Sequence, residues 1–281
     1  MARRTARPAP STAGIYRASV VRSERVSPSF HRVTVSGPEL DGFDAMGYDQ
    51  WFRLFLQLPH QPELRLPTST SAAWWPQHLA VPERHRPHLS NYTVAGYRPA
   101  RDADAHAELD IDFVVHRGPD GELEGGAAIW ACAARPGDAV GLLDQGCLFD
   151  CPDDASDVVV VADESGLPAV EGIVRSLPRD AVGTVIVEVP AADDRRELAT
   201  PPGVDVNWVV RDDPHAVPGG RALAELRRRV VAGPSTYAFV VGESGLATGG
   251  RRHLHGLGVP KDRITFSGFW RRRVERAGRA S

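Results

Sequence analysis

The run Val158-Val159-Val160-Val161-Ala162 has no polar interruption, and its four successive β-branched residues suit a parallel strand covered on both faces. The residues after it meet that demand. The loop Asp163-Glu164-Ser165-Gly166-Leu167-Pro168 leads into an amphipathic helix over residues 169–177, and strands are expected at 184–189 and 206–210. A helix at 221–229, a strand at 237–241, a further helix after Gly242-Glu243-Ser244-Gly245 and a last strand at 263–266 complete the pattern. Strands alternating with helices predict a doubly wound α/β domain.

Before Asp157 the pattern is different. Short strands are expected over 18–26, 30–37 and 50–59, and Gly37-Pro38 closes the second of them as a turn. Leu109, Ile111, Phe113 and Val115 alternate with acids over 108–116, a half-buried signal. Residues 125–133 read as a glycine-led short helix, and Arg135-Pro136-Gly137-Asp138 turns into a strand over 139–143. From His60 to Pro87 there is little periodicity and much proline, so that stretch, which holds Trp74-Trp75, is expected to be a long structureless excursion. The fold class expected is an N-terminal antiparallel β-barrel followed by a C-terminal doubly wound α/β domain. The divisions are a disordered basic arm over 1–14, a barrel over 15–152, an α/β domain over 153–270 and a basic tail over 271–281.

A length of 281 residues allows two cores, and a net charge of −3 gives no general reason to bind nucleic acid. No apolar run reaches the length of a membrane span, and no apolar stretch follows the basic start as a signal peptide requires. A cytoplasmic protein without membrane insertion is expected, acting as a monomer or weak dimer. Cys132, Cys147 and Cys151 lack the paired spacing of a metal site and are read as reduced thiols. His85 and His88 have no carboxylate or cysteine close in sequence, so no metal centre is expected.

Two places carry candidate chemistry. In a parallel sheet, ligands sit beyond the carboxyl ends of the strands, where the loops 163–168 and 242–245 fall. Gly166 permits close backbone approach and Pro168 suits a helix's first turn, whose free amides attract a diphosphate, although the Gly-x-Gly-x-x-Gly fingerprint is absent. The second place is His88-Leu89-Ser90-Asn91-Tyr92-Thr93-Val94-Ala95-Gly96-Tyr97, where Tyr92 and Thr93 are expected to enter a short strand and present a ring beside a hydroxyl, as a flavin requires. Arg195, Arg196 and Arg211 follow strands of the α/β half and suit either a 2′-phosphate or solvated surface.

An ordered series of landmarks makes the reading more specific. Tyr92-Thr93-Val94, residues 109–116 ending in His116, Trp130 with Ala134-Arg135-Pro136-Gly137-Asp138, Asp163-Glu164 with Leu167-Pro168-Ala169, Gly242-Glu243 and Gly268-Phe269-Trp270 together resemble the siderophore-interacting protein family. The likeness covers the chain from about Tyr16 to Trp270. It implies a ferredoxin-reductase-like plan, bound FAD, and electrons passed from NADPH, NADH or ferredoxin to a ferric siderophore, with iron(II) released. It implies cofactor contacts at Tyr92, Thr93, the amides from Val94, His116, Ala127, Ala128, Trp130, Asp163, Glu164, Gly242, Glu243 and Trp270, with Tyr92 to Val94 and Ala127–Ala128 toward the flavin and Asp163, Glu164 and Glu243 toward the nicotinamide. No protein acid or nucleophile is required, because the flavin does the chemistry.

The chain departs from that family's motifs at three flavin positions and, more mildly, at Phe269, where the family usually has tyrosine. The flavin motif Arg-x-Tyr-Ser/Thr-x-Arg has Ser90 and Ala95 in place of its arginines, and Ala128 stands where a helix-capping serine belongs. Arg84, Arg86 or Arg98 would have to reach in as substitutes. A second reading therefore stays open, in which the scaffold is a flavin-free binding protein or a non-redox enzyme of specialised metabolism.

Overall fold

The computed structural model describes residues 8–11, 13–102, 104–118, 120–211, 213 and 216–272. Most of the expected arm over 1–14 and of the expected tail over 271–281 lies outside these residues. Within the arm, the Pro8 carbonyl accepts from the Cys147 amide at 2.9 Å and the Ser11 amide donates to Asp44 at 2.8 Å. Residues 8–11 are therefore fixed, contrary to the expectation of disorder.

Two compact units make up the chain. The first comprises residues 1–150, 168–179 and 191–201, and the second comprises 151–167, 180–190 and 202–281. The units are thus interleaved along the sequence by their contacts, although the strands of the antiparallel sheet all precede residue 150 and those of the parallel sheet all follow it.

In the first unit the strands are β1 (Ile15–Ser27), β2 (Phe30–Ser36), β3 (Trp51–Leu56), β4 (His88–Thr93), β5 (Gly96–Arg98) and β6 (Glu108–Val114), then the small hairpin β7 (His116–Arg117) and β8 (Leu123–Glu124), and β9 (Ala139–Asp144). Helix α1 (Trp74–Ala80) precedes β4 and α2 (Gly126–Ala133) precedes β9. The sheet order is β4-β3-β9-β1-β2-β6-β5, with antiparallel pairing throughout. Between its two edge strands the chain passes only Val94 and Ala95. The Val94 amide donates to the Gln50 carbonyl on the β3 side at 2.8 Å, and the Ala95 amide donates to the Asp110 carbonyl of β6 at 3.0 Å. This two-residue change of partner closes the sheet into a barrel. It also ends the strand at Thr93, where the sequence pattern has Tyr92 and Thr93 beginning one.

Inward residues Val33, Val35, Phe52, Leu54, Leu109, Ile111, Phe113, Val140 and Leu142 pack with Trp130 and Ala131 of α2 in one core. Each large side chain fully buried here contributes about 1.5–3 kcal/mol. The excursion before β4 is not structureless: α1 forms within it, and Trp74 joins Phe55, Leu64 and Leu143 in a satellite cluster. Strand β6 also differs from its half-buried pattern, because Asp110 and Asp112 are buried on the face away from the core, where arginines meet them.

The remaining elements are β10 (Asp157–Ala162), α3 (Leu167–Ser176), β11 (Val182–Val189), β12 (Gly203–Val210), α4 (Gly220–Arg229), β13 (Thr236–Glu243), α5 (Ser244–Gly256) and β14 (Ile264–Trp270). The second unit's sheet has the order β12-β11-β10-β13-β14 and is parallel throughout. Ala222 and Leu226 of α4 and Leu246 and Leu254 of α5 pack on Val159, Val161, Ile186, Ala238 and Val240 of the sheet. The strand order reverses between β10 and β13, and the crevice at such a switch point is where α/β sheets take ligands. Among the described residues no helix is long and apolar enough to cross a membrane.

Candidate functional site

In the first unit, cross-strand pairing fixes which side chains share a face. Phe52 lies opposite Tyr92, Leu54 opposite Ser90 and Leu56 opposite His88, so Tyr92, Ser90 and His88 share the core side of β4. The Tyr92 ring lies 4.4 Å from that of Phe113, and burial pushes its hydroxyl pKa well above the usual tyrosine range. Thr93 lies opposite Trp51 and faces the other way, so the ring and hydroxyl are not side by side as the sequence suggested.

His88 and Ser90 form a small polar pair at the far end of this face. His88 Nε2 and Ser90 Oγ are 3.0 Å apart, and burial lowers the imidazole pKa, favouring the neutral form. The ring abuts Gly126, where an added Cβ would stand 3.4 Å from His88 Cε1. Gly126 opens α2, whose first turn has no side-chain cap and follows Gly125 at φ +87°. The first amides of an uncapped helix have no partner within it, so those of Gly126, Ala127 and Ala128 can receive an anion.

The other expected flavin contacts are differently occupied. The amides of Val94 and Ala95 hold the barrel closed, so they are not free for a phosphate. Trp130 is in the core and donates its indole N–H to the Gln57 carbonyl at 3.1 Å. His116 is exposed on the β7–β8 hairpin that precedes α2. Of the substitute arginines, Arg86 donates to the carbonyls of Leu79 and Val81, Arg98 to Glu108 and Asp110, and Arg84 to His85. None of the three is bonded to Ser90.

Ala95 instead lines a cavity of about 390 Å³ with Arg32, Arg175, Arg196, Glu171 and Glu197. Arg32 grips buried Asp112 with two bonds of 2.6 and 2.9 Å, and Arg196 reaches the same carboxylate at 2.6 Å and Glu171 at 3.1 Å. Arg196 is therefore tied to protein carboxylates, which removes it as a candidate for a 2′-phosphate. The space where the family's second arginine is expected has arginines from elsewhere in the chain around it.

The second unit gathers its expected residues at the carboxyl ends of β10, β13 and β14. Asp163 is fully buried. Its Oδ1 accepts from the Ser165 amide at 2.9 Å and hydroxyl at 2.5 Å, and its Oδ2 accepts from the Glu243 amide at 2.6 Å. Burial, reinforced by the charge of Glu164, pushes its pKa up to about 6. Gly242 sits at φ +126°, and a Cβ there would stand 2.5 Å from the Asp163 carboxyl carbon, so the two loops meet where only glycine fits. Glu243 caps α5 by accepting from the Gly245 amide. The Trp270 carbonyl accepts from Ser244 Oγ at 2.9 Å. These side chains fix the loops, and the backbone is what the loops offer to a ligand.

Glu164 and Arg211 belong to a buried cluster that the sequence reading missed. Arg211 donates to Glu164 at 2.6 Å and to Glu188 of β11 at 3.1 Å, with about 5% of the residue exposed. It therefore neither lies on solvated surface nor reaches for a 2′-phosphate. Glu188 Oε2 accepts from the amides of Arg221 and Ala222 at 2.9 Å each and so caps α4. A lone acid inside the apolar run 184–189 was the available signal. Among the described residues no group of side chains is arranged to hold a metal ion.

Comparison with known proteins matches the chain in two consecutive stretches. Residues 19–147 match the siderophore-interacting FAD-binding domain, and residues 155–273 match the siderophore-interacting protein domain. The chain is similar to the ferric vibriobactin reductase ViuB of Vibrio cholerae, at 30% identity over 254 residues, covering 90% of this chain and 88% of that one. It is 28% identical to the NADPH-dependent ferric-chelate reductase of Escherichia coli, over 90% of this chain and 91% of that protein. A siderophore utilization protein from T. fusca superposes with a TM-score of 0.74 at 28% identity, covering 94% of this chain and 95% of that structure. With both parts of its length matched and a relative covered nearly end to end, this chain belongs to the siderophore-interacting protein family.

Proposed function

We propose that the chain is a flavin-dependent reductase that passes electrons from NADPH or NADH through FAD to a ferric siderophore or a related chelate, releasing iron(II). The observation that carries this reading is the face of β4 that leads from Tyr92 through Ser90 and His88 to the uncapped first turn of α2. It offers an aromatic ring, two neutral hydrogen-bonding side chains and a set of free amides in the order that a flavin and its diphosphate need. The names of the Vibrio and Escherichia relatives support the same activity.

FAD when bound supplies the redox chemistry, accepting electrons in a pair and releasing them singly. The residues of the chain do the rest. Tyr92 provides an apolar wall, the amides of Gly126, Ala127 and Ala128 receive the diphosphate, and His88 and Ser90 add hydrogen bonds where the family's motif has an arginine. In the second unit the turn at Glu164–Gly166 and the Gly242-Glu243 loop offer backbone groups to the pyridine nucleotide, while Asp163 and Glu243 hold those loops in shape. The reaction belongs to the cytoplasm and to a monomer or weak dimer.

The test is the visible spectrum of the purified protein before and after addition of FAD. Flavin bands that co-elute with the protein, followed by NADPH- or NADH-driven loss of a ferric siderophore's colour, are expected. A colourless protein that leaves added FAD free in solution would sink this reading. The absence of any bonded arginine beside Ser90 would then favour the flavin-free scaffold.

A further inference from the structure

Helix α5 carries a feature that the reductase reading does not use. Thr248, Arg251, Arg252 and His255 recur at i, i+3, i+4 and i+7 and so share one helical face. With Lys261, from the 3₁₀ turn Lys261–Arg263, they line a cavity of about 280 Å³. No carboxylate lines it. None of the four basic side chains has an acidic partner among the described residues. In a chain with a net charge of −3 and a single lysine, that lysine stands with two arginines and a histidine around one hollow.

Two of the groups are held in place. The Arg251 guanidinium lies 4.6 Å above the Phe266 ring, and His255 Nδ1 donates to the Val259 carbonyl at 3.1 Å. Cations in the last turns of a helix are favoured by its exposed carbonyls, which accounts for basic residues at this end of α5. That effect does not account for Lys261, which comes from beyond the helix, nor for the concave arrangement. Like charges around a shared cavity repel one another, and an anion within it turns that repulsion into attraction. Because α5 leaves β13 at its carboxyl end, this part of the helix lies toward the amino ends of the strands, away from Gly242 and Glu243.

We propose that this cavity binds a compact multivalent oxyanion, a diphosphate or a di- or tricarboxylate, with Arg252 and Lys261 as its main contacts and Arg251 as a fixed wall. Guanidinium and ammonium groups together suit such a ligand, because the first bonds in a planar fork and the second acts as a point charge.

Isothermal titration of the full chain with inorganic pyrophosphate and, separately, with citrate at physiological ionic strength tests this. One-to-one binding of at least one anion is expected, and the preferred anion assigns the chemistry as phosphate or carboxylate. The double variant Arg252→Glu, Lys261→Glu is expected to bind at least about tenfold more weakly, while Arg228→Ala, outside the cavity, leaves binding unchanged. Should the charge-reversed variant fail to fold, Arg252→Gln with Lys261→Gln carries the same comparison. Absence of binding by both anions, or equal affinity in the double variant, overturns the proposal. The second outcome would mean that the anion sits elsewhere, for example at the first turn of α2.

Discussion

Arg211 stands between two carboxylates in the interior of the second unit, and each of the three charges is tolerated there because of the others. Glu188 is further satisfied by the amides at the start of α4, whereas Glu164 Oε2 has no hydrogen-bond partner. Replacing Arg211 by Met would leave two buried acids facing each other, a loss of about 3–5 kcal/mol for breaking such a pair from one side. Urea unfolding of Arg211→Met should show that loss, and a change below about 1 kcal/mol, as for an exposed pair, would refute the bracing role. From the sequence, Arg211 and Arg196 are simply arginines that follow strands. What distinguishes them is which carboxylate the fold brings near, and no local pattern records that. Glu188 was more accessible to sequence reasoning, since an acid inside a strand of valines and isoleucine needs a buried partner.

The junction of β4 and β5 sets how substitutions there will act. Ser90 lies beside His88 and the open turn of α2, so Ser90→Arg adds a charged donor near a proposed diphosphate and should tighten FAD binding by about tenfold or more. Ala95 faces arginines already tied to Asp112 and Glu171, so Ala95→Arg should give no gain and should lower the melting temperature through like-charge crowding. Fluorescence titration of FAD against both variants separates the two, and equal improvement would contradict the arrangement. The loop between β13 and α5 makes a similar demand at Gly242. Gly242→Ala combines a disfavoured φ with contact against the Asp163 carboxyl, and a cost of about 1–3 kcal/mol is expected in thermal unfolding, with weakened NADPH binding.

At this scale much of the architecture was legible, because the valine run, the turn residues and the amphipathic helices each state a local preference. The break at Val94 and Ala95 was not legible, since neither residue carries a turn signal and only the change of hydrogen-bonding partner interrupts the strand. Helix α1 was hidden by its short length and by prolines, and it forms because Trp74 can pack on Phe55.

Across the whole molecule, ligand and stability are linked through the unit that binds. FAD at about a hundredfold excess over its dissociation constant should stabilise its binding unit by about 2.7 kcal/mol. Differential scanning calorimetry should show an upward shift on adding FAD, and a trace unmoved by FAD would contradict binding. The division into a barrel and an α/β part was readable from the change of pattern near Asp157. The interleaving of the compact units was not, because residues 168–179 and 191–201 follow strands of the second unit in sequence yet are counted with the first. That interleaving bears on inheritance. A crossover between two diverged genes near the codon for residue 152 would give one parent's barrel the other parent's α3 and 191–201 segment, joining surfaces that come from different chains. Hybrids joined there should be recovered as aggregated or degraded protein more often than hybrids that keep both pieces with their own barrel, and equal recovery of the two kinds would show that the interleaved segments do not bind the exchange.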